Sequence, residues 1–586
     1  MLEARFDDLT GRSPSFRLVE PVGVVEARRA DDVRPALEAA GSAAGRGLWV
    51  AGFVAYEAAP GLDPRLTVRE HDPADPFADL PLVWFAMFER HEETVLPLPP
   101  DDPPKPGAWG PTTSRTDHAD AIRRIRALIA DGETYQVNHT IRFRGRVAGD
   151  PRGLYRDLSY AQRGAYGAYL DLGRFRICSA SPELFFQVDG DRIETRPMKG
   201  TAPRGRWPAE DREIATRLAA SAKDRAENAM IVDLLRNDLG RIARPGTVTW
   251  GDVFEAERYE TVWQLTTTVS ATLETGVGAP DVFRALFPSG SVTGAPKVRT
   301  MEIIRELEAT PRGVYCGAVG FLAPSGSGFP TARFNVAIRT VAVDTSDGLA
   351  EYGAGGGITW SSDPSGEYEE ILAKARVLTA RRPSFELLET IRYEPGAGVR
   401  HLDRHVTRLL GSADHFGFHA DGDVIREAVD EAIASAPERP CRVRLSMARD
   451  GSVRCACAAL PSEIEPALVA LDDVPQDPRD VFLFHKTSLR NRYRDAARRH
   501  PDADDVLLIN DRGEVTESTI ANVAVKLGGR WWTPPLVSGL LPGVGREVAL
   551  EEGAVTERSI TVEEVRSAED LALISAVRGW RRAELR

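Results

Sequence analysis

Two pairs of acidic residues are spaced so that each pair projects from one face of a helix. Asp224 and Glu227 stand three residues apart in a strongly helical segment, and Glu367 and Glu370 repeat the spacing. Residues three apart are neighbours on a helix surface. Four such carboxylates suit a hard cation such as Mg²⁺, which prefers oxygen ligands and keeps waters. On spacing alone the favoured alternative is a pair of solvated faces with salt bridges, such as Glu370 to Lys374.

A further acid and a lysine stand where two strands could end side by side. Glu183 precedes a strand-like run, and Lys199 lies in residues 196–201 on the return strand. A strand, a turn and a return strand bring such ends together, so both side chains could face one cavity. For either residue alone, a hairpin with surface charges is the better interpretation, because Glu and Lys are rarely buried.

A glycine-rich turn near the other end of the chain precedes a helical segment. Residues 539–546 read Gly-Leu-Leu-Pro-Gly-Val-Gly-Arg. The backbone amides of such a turn can bind a phosphate, but the signal is weak when it stands alone. Lys486, Arg408 and Glu517 also have ordinary interpretations when each is taken singly: a surface lysine, a charge on a helix face and a loop acid.

The composition indicates a folded protein of more than one domain. A chain of 586 residues is too long for one core, and 42% apolar residues make general disorder improbable. The net charge of -13 disfavours nucleic-acid or anionic-membrane partners. We find no secretory signal and no membrane-spanning run, and the five scattered cysteines suit a reducing compartment. We therefore expect a cytoplasmic protein with no nucleic-acid and no membrane partner.

Proline and helix signals divide the chain. The proline-rich residues 97–111 predict an extended linker, and helical patterns occupy residues 117–129 and 368–378. A helix should stop before Pro383, so we place domains at 1–110, 111–382 and 383–586. Helix and strand signals do not alternate as they do in a doubly wound sheet, which makes α+β the predicted fold class.

Four ordered motifs resemble the chorismate-utilising enzyme family, whose fold is a β-sandwich core with surrounding helices. The resemblance extends to about residue 380 and rests on Pro197-Met198-Lys199-Gly200-Thr201 and on residues 231–240, 290–297 and 354–357. Within the family, lysine before Gly-Thr resembles the aminodeoxychorismate synthase large components, whereas anthranilate synthases have alanine there. Lys199 is therefore the discriminating residue.

The resemblance implies roles for these residues. The Lys199 amine would add to the ring of chorismate as the hydroxyl leaves, and ammonia would then displace it. Glu183 matches the general acid or base near that hydroxyl. Asp224, Glu227, Glu367 and Glu370 match the positions that hold Mg²⁺ against the ring carboxylate.

Other matched positions would bind the substrate. Arg339 matches an arginine that grips the second carboxylate. The remaining predicted lining residues are Thr293, Tyr315, Gly355, Gly357 and, where many relatives have histidine, Gln264. For Thr293 a simple turn hydroxyl is a serious alternative. The sequence has no Gly-x-Cys-x-Gly segment, so ammonia would come from solution or from a separate glutamine amidotransferase subunit.

A second set of motifs resembles the two-subdomain class IV enzymes that use pyridoxal phosphate (PLP), most closely their aminodeoxychorismate lyases. The set comprises residues 401–410, 484–488, 513–522 and 539–546. By resemblance Lys486 carries PLP and then moves protons, and Glu517 pairs with the pyridinium nitrogen. The predicted phosphate-binding residues are Arg408 and the amides of Val544 and Gly545. Some relatives have threonine in place of Gly545.

Thr390 matches a threonine proposed to protonate the departing enolpyruvyl group, and the fold implies a homodimer through this domain. Together the halves predict synthesis of 4-aminobenzoate for folate: amination of chorismate, then elimination of pyruvate. The product of the first half is then the substrate of the second. Two alternatives stay open: a synthase fused to a class IV transaminase, and a fusion in which one half is a non-catalytic scaffold.

Overall fold

The computed structural model describes residues 2–97, 107–251, 254–259, 262–379, 383–460 and 465–586. Most of the predicted linker, residues 98–106, and residues 380–382 at the predicted second boundary lie outside these ranges. The chain forms two compact units: Met1–Pro203 with Ala215–Arg382, and Arg204–Ile214 with Pro383–Arg586. No helix in the described ranges has the length and apolar character needed to span a bilayer.

Most strands of the N-terminal unit join one 17-stranded hydrogen-bonded sheet, and three others form a separate small sheet, β11–β14–β13. The strands are β1 (Glu3–Asp7), β2 (Phe16–Ala27), β3 (Trp49–Val54), β4 (Val83–Glu93), β5 (Trp109–Pro111), β6 (Gln136–Arg146), β7 (Tyr166–Asp171), β8 (Phe175–Ser181), β9 (Leu184–Asp189), β10 (Arg192–Arg196), β11 (Met198–Pro203), β12 (Thr249–Trp250), β13 (Glu255–Arg258), β14 (Val262–Thr266), β15 (Val269–Thr272), β16 (Gly294–Ala295), β17 (Ala318–Leu322), β18 (Ala332–Val336), β19 (Thr340–Asp344) and β20 (Leu349–Ile358).

Helices pack against these sheets. They are α1 (Ala30–Gly45), α2 (Ala59–Leu62), α3 (Arg115–Ala130), α4 (Pro151–Gln162), α6 (Ala222–Gly240), α7 (Ala279–Leu286), α8 (Lys297–Leu307) and α9 (Pro364–Ala375), while α5 (Pro208–Ala220) begins in the segment that groups with the second unit.

The predicted helices form where their apolar spacing and caps direct. Helix α3 covers the predicted residues 117–129, buries Ile122, Ile125 and Leu128, and begins after Ser114, whose hydroxyl accepts a hydrogen bond from the Asp117 amide. The strongly helical segment with the first acidic pair becomes α6, and α9 with the short 3₁₀ turn behind it covers 368–378. Each helix that was expected to carry two carboxylates is therefore present.

The antiparallel pairing of β6 with β20 fixes the glycine-rich end of β20. Gly355 lies opposite Thr140, and Gly357 lies opposite Asn138. On its other edge β20 pairs with β19, where Tyr352 lies opposite Val341. This rigid frame holds the backbone of β20 at the cavity described below.

The C-terminal unit contains two sheets, in agreement with a two-subdomain class IV fold. The four-stranded sheet contains β21 (Leu387–Glu394), β22 (Gly398–Val399), β23 (Cys441–Met447) and β24 (Val453–Ala459). The eight-stranded sheet contains β25 (Ala467–Leu471), β26 (Asp505–Ile509), β27 (Val515–Ser518), β28 (Asn522–Leu527), β29 (Arg530–Thr533), β30 (Thr556–Glu557), β31 (Asp570–Ser575) and β32 (Gly579–Leu585). The helices are α10 (Leu402–Phe416), α11 (Gly422–Ala434), α12 (Asn491–Arg499), α13 (Val544–Glu551) and α14 (Val562–Arg566).

The segment Arg204–Ile214 contributes to this second unit although it precedes it by many residues in the sequence. The Trp207 ring packs on Phe484, with ring centroids 5.0 Å apart. The carbonyl oxygen of Arg206 accepts a hydrogen bond from His485 Nε2 at 3.0 Å. Both contacts fall immediately before Lys486, so the segment supports the chain on which that lysine stands.

Candidate active sites

The N-terminal unit contains a cavity of about 350 Å³. Strand β11, the turn before β9, the end of β20 and helices α6 and α9 contribute to its wall. The predicted residues that line it are Lys199, Glu183, Asp224, Glu227, Glu367, Glu370, Tyr315, Arg339, Gly355, Gly357 and Gln264. Thr293 is fully buried and does not line it; its hydroxyl donates to the Ser289 carbonyl at 3.0 Å, which is the turn role weighed as the alternative.

Lys199 stands on β11 where this strand passes close to helix α6. The next residue, Gly200, has a φ of +85°, and a Cβ on it would lie 2.9 Å from Asp224 Cβ, so glycine is required there. Within the described residues no hydrogen bond or ion pair holds the Lys199 amine. Burial lowers the pKa of Lys199, against the opposing charge of Glu227. The amine is therefore more often neutral, and hence nucleophilic, than an exposed lysine.

Glu183 lies between β8 and β9 with 4% of its surface exposed. Its Oε1 atom is buried without a hydrogen-bond partner. Burial raises the pKa of Glu183 to about 7, although a hydrogen bond with Ser291 and the charge of Lys199 oppose the rise. A carboxyl group that keeps its proton near neutral pH can act as a general acid.

The acidic pairs of α6 and α9 reach the same cavity from two sides. Glu367 Oε2 and Glu370 Oε1 approach Gly356, lying 3.2 and 3.9 Å from the position that a Cβ would take there. The Asp224 carboxylate accepts a hydrogen bond from the Ser221 hydroxyl. No three of the four carboxylates bring oxygens within 4.8 Å of one another; within the described residues only Asp472, Asp473 and His500, in the other unit, form such a group.

Lys374 is a cavity residue whose role the sequence left undecided. Its amine binds Glu370 at 2.7 Å and donates to the Gly355 carbonyl at 2.8 Å. The charge of Lys374 lowers the pKa of Glu370 against the effect of burial, whereas burial raises the pKa of Glu367. The salt bridge that spacing favoured is therefore present; both residues line the cavity, and the Glu370 side chain is 55% exposed.

The other residues predicted to bind the substrate line the same cavity as Lys199 and Glu183. Arg339 has a φ of +52° and donates to the Lys374 carbonyl at 2.6 Å. The Tyr315 ring lies 5.0 Å from the Arg142 guanidinium. Gln264 stands on β14 opposite Thr201. The cavity wall thus contains one arginine, three lysines and the Glu183 carboxyl of raised pKa, beside the four carboxylates of α6 and α9. The basic groups and the raised-pKa acid suit an anionic substrate with a hydroxyl leaving group.

The C-terminal unit contains a second cavity, of about 490 Å³. It lies among β21, β23, the turn after β27 and the start of α13. Every residue predicted for this half lines it: Thr390, Arg408, Lys486, Glu517, Val544 and Gly545.

Lys486 and Glu517 are ionisable groups of opposite sign in the wall of this cavity. Burial lowers the pKa of Lys486 to about 8, and the positive charge of Arg408 adds to the effect. Burial raises the pKa of Glu517 to about 7, although hydrogen bonds from the Tyr493 hydroxyl at 2.9 Å and the Leu541 amide at 3.2 Å oppose it. Tyr493 was not predicted, because a single tyrosine outside any motif does not indicate a functional role.

Arg408 is fixed by a buried carboxylate. Glu389 accepts hydrogen bonds from Arg408 Nε at 2.9 Å and Nη2 at 2.7 Å, and its Oε2 atom lies 2.8 Å from His405 Nδ1. Burial opposes ionisation of Glu389, but the charge of Arg408 and the contact with His405 hold the pKa of Glu389 at about 2. Glu389 was not predicted, although it stands next to Thr390 in the sequence.

The start of α13 contributes to the cavity wall and lies very close to the backbone of Ser575 and Ala576. A Cβ on Gly545 would lie 2.7 Å from the carbonyl carbon of Ser575 and 2.8 Å from the Ala576 amide nitrogen. A threonine at this position, as some relatives have, does not fit here without movement of that loop. Such a glycine-lined helix start, close to Arg408, is the kind of site that binds a phosphate, so the residues present fit PLP.

Comparison with known proteins identifies both halves. Residues 10–380 match the family model described as chorismate binding enzyme, and residues 386–584 match that of amino-transferase class IV, which implies PLP. Both resemblances read from the motifs, and the α+β class, are thereby confirmed.

Several curated relatives match the N-terminal half. Aminodeoxychorismate synthase component 1 of Salmonella typhimurium is 42% identical over 267 residues, 46% of this chain and 58% of that protein. Anthranilate synthase component 1 of Haloferax volcanii is 39% identical over 358 residues, 54% of this chain and 67% of that protein. The structure of anthranilate synthase component I from Streptococcus pneumoniae TIGR4 aligns at 26% identity with a TM-score of 0.54, covering 63% of this chain and 93% of that one. The chain therefore spans only part of the length of these curated relatives.

Proposed function

Because this chain belongs to the chorismate binding enzyme family, we propose that its N-terminal unit aminates chorismate to 4-amino-4-deoxychorismate and its C-terminal unit then releases pyruvate to leave 4-aminobenzoate. The observation that carries the proposal is the pairing of Lys199, whose amine has a lowered pKa, with the buried Glu183 carboxyl in one cavity. Relatives named aminodeoxychorismate synthase support the choice of product.

The first step uses both of these groups. The neutral Lys199 amine forms a carbon–nitrogen bond to the chorismate ring while the ring carbon–oxygen bond to the hydroxyl breaks. Glu183 gives its proton to that oxygen, so water leaves rather than hydroxide. Ammonia then forms its own bond to the ring and Lys199 departs with the electron pair of its bond, which restores the free amine. The surplus proton on the new ring nitrogen returns to the Glu183 carboxylate.

Anion binding orients the substrate for this step. Arg339 would hold the carboxylate of the enolpyruvyl side chain. Asp224, Glu227, Glu367 and Glu370 are hard oxygen donors that suit Mg²⁺, which would neutralise the ring carboxylate. Since Lys374 already binds Glu370 at 2.7 Å, metal binding would require this ion pair to loosen.

The C-terminal cavity supplies the residues for the second step. PLP, when bound, provides an electron sink for elimination from the amino carbon. Lys486, with a pKa of about 8, can accept and return a proton at neutral pH. Glu517 would pair with the protonated ring nitrogen, Arg408 with the Val544 and Gly545 amides would hold the phosphate, and the Thr390 hydroxyl would protonate the departing enolpyruvyl oxygen.

Ammonia must come from elsewhere. None of the five cysteines lies in a Gly-x-Cys-x-Gly segment of the kind that glutaminases use as nucleophile. We therefore propose free ammonia or a separate glutamine amidotransferase subunit as the source.

Product analysis tests the proposal. The full-length protein is incubated with chorismate, ammonium, Mg²⁺ and PLP, and aromatic products and pyruvate are quantified. We expect 4-aminobenzoate and pyruvate in equal amounts. Anthranilate as the product would contradict the first assignment, and accumulation of aminodeoxychorismate together with transamination of amino acids would favour the synthase–transaminase fusion.

A further inference from the structure

Three arginines line the C-terminal cavity without any protein partner. Arg442, Arg444 and Arg581 belong to its wall, and within the described part of the chain none of their side chains makes a hydrogen bond or an ion pair. Arg581 is only 6% exposed, and the Nε atom of Arg442 is buried without a hydrogen-bond partner. Arg444 is exposed at the cavity wall, whereas Arg442 and Arg581 carry positive charge into the wall without a carboxylate partner among the described residues.

Two of the arginines share a face with Thr390. Residues two apart on a strand point to the same side, so Arg442 and Arg444 of β23 project together. Strand β21 pairs with β23 so that Thr390 lies opposite Arg444. Because Thr390 also lines the cavity, both arginines stand beside the residue proposed to act on the enolpyruvyl oxygen.

The third arginine reaches the cavity from the other sheet. Arg581 stands on β32, opposite Leu573 of β31. Its neighbour Arg582 projects to the opposite side, where its side chain is 67% exposed and lies 3.5 Å from Asp570. The alternation along β32 therefore separates one surface arginine, which has an acidic partner, from one buried arginine, which has none.

These three side chains are distinct from the predicted phosphate-binding group. Arg408 is already bound by the Glu389 carboxylate and by the Pro542 carbonyl oxygen at 3.0 Å. A buried guanidinium without a counter-charge destabilises a protein, and a ligand anion can offset that cost. The planar guanidinium matches a carboxylate with two parallel hydrogen bonds.

We propose that Arg442, Arg444 and Arg581 bind the carboxylates of a dicarboxylate substrate and so make the C-terminal unit selective for dianions over monocarboxylates. The inference rests on the proposed function, whose second substrate has one carboxylate on its ring and one on its enolpyruvyl group. A dicarboxylate supplies two negative charges to the three guanidinium groups, whereas a single-carboxylate substrate, such as a branched-chain amino acid, supplies one and leaves two of them uncompensated.

Kinetics of the full-length Arg581→Gln variant test the proposal. We expect the KM for aminodeoxychorismate in pyruvate release to rise at least about 10-fold, because truncating one member of a buried charge pair is costly. The PLP absorbance band and the amination of chorismate should be unchanged. The matched control is Arg582→Gln on the exposed side of the same strand, for which KM should stay as in the parent protein.

Two results would overturn the inference while leaving the lyase assignment standing. One is a normal KM in Arg581→Gln; the other is loss of the PLP band, which would mean that Arg581 holds the cofactor phosphate.

A binding measurement separates this inference from the proposed function. Isophthalate, with two carboxylates, should shift the PLP band at a concentration at least about 10-fold below that of benzoate, and Arg581→Gln should remove the difference. Equal binding of the two would refute dianion selectivity even if no pyruvate were released.

Discussion

The Lys199 amine lies against the backbone of Gly357, so close that a Cβ on Gly357 would stand 2.5 Å from Nζ. The same Cβ would be 2.6 Å from Gln136 Nε2. Because Gly357 has no side chain, the Lys199 side chain can occupy the space beside it. Gly357 stands on β20, whose register is fixed by its pairing with β6.

The Gly357→Ala substitution should consequently displace the lysine. We expect amination of chorismate to fall by about 100-fold or more, since displacement of a reacting group by about 1 Å has that effect. Release of pyruvate from supplied aminodeoxychorismate should be unchanged. Gly41→Ala, in helix α1 with no atom within 4 Å of the added Cβ, is the control and should keep both activities. Normal amination in Gly357→Ala would show that Lys199 does not act from this position.

The raised pKa of Glu183 predicts a pH dependence for the first reaction. As the acid loses its proton above a pKa of about 7, the amination rate should decline toward higher pH. Glu183→Gln should lower the rate by about 10²- to 10⁴-fold, the usual contribution of a general acid. It should also abolish the limb of the pH profile near pH 7. A variant that keeps this limb would exclude Glu183 as the group that titrates.

Glu183 also affects the free energy of unfolding of the protein, and its raised pKa fixes the direction in which this effect changes with pH. Its pKa is higher in the folded protein than the ordinary value of 4.5, so the folded state holds this proton more tightly than the unfolded chain does. The resulting stabilisation is full below pH 4.5 and is lost as pH rises through about 7. The free energy of unfolding of the parent relative to Glu183→Gln should therefore decrease over this range in urea titrations; an increase would contradict the buried, protonated state.

The Glu389 carboxylate should be essential for the C-terminal unit. Glu389→Gln leaves Arg408 without its ionic partner, and breaking a buried pair from one side costs about 3–5 kcal/mol. We expect lower stability in urea and weaker PLP binding by absorbance titration. The control is Glu551→Gln, which removes an exposed pair with Arg404 and should cost less than about 1 kcal/mol. Similar losses in both variants would contradict the structural role of Glu389.

Trp207 should affect PLP retention although it lies far from Lys486 in the sequence. The ring packs on Phe484, and Trp207→Ala should destabilise the C-terminal unit by about 1–3 kcal/mol and lower its affinity for PLP. Trp250→Ala, which removes a tryptophan that is 47% exposed, is the control and should leave PLP binding unchanged. Unaltered PLP affinity in Trp207→Ala would show that the segment does not support Lys486.

The sequence predicted the helices and motifs better than the side-chain partners. Apolar spacing and caps act locally, so α3, α6 and α9 were recognisable from their own residues. The grouping of Arg204–Ile214 with the second unit was not, because it depends on contacts between residues far apart in the chain.

The same distinction separates the predicted site residues from those that were missed. Lys199 and Lys486 stand in recognisable motifs, whereas Glu389, Tyr493 and Arg581 become informative only through burial and neighbours. Thr293 illustrates the converse. It lies in a family motif, yet its hydroxyl donates to the Ser289 carbonyl and Thr293 is not among the residues that line the cavity.

The most direct test of the account compares the two lysine variants in the complete reaction with chorismate, ammonium, Mg²⁺ and PLP. Lys199→Ala should form no 4-aminobenzoate from chorismate, or divert product toward anthranilate, yet should still release pyruvate from supplied aminodeoxychorismate. Lys486→Ala should accumulate aminodeoxychorismate and release no pyruvate. If both variants formed 4-aminobenzoate from chorismate at the parent rate, the assignment of one reactive lysine to each unit would be wrong.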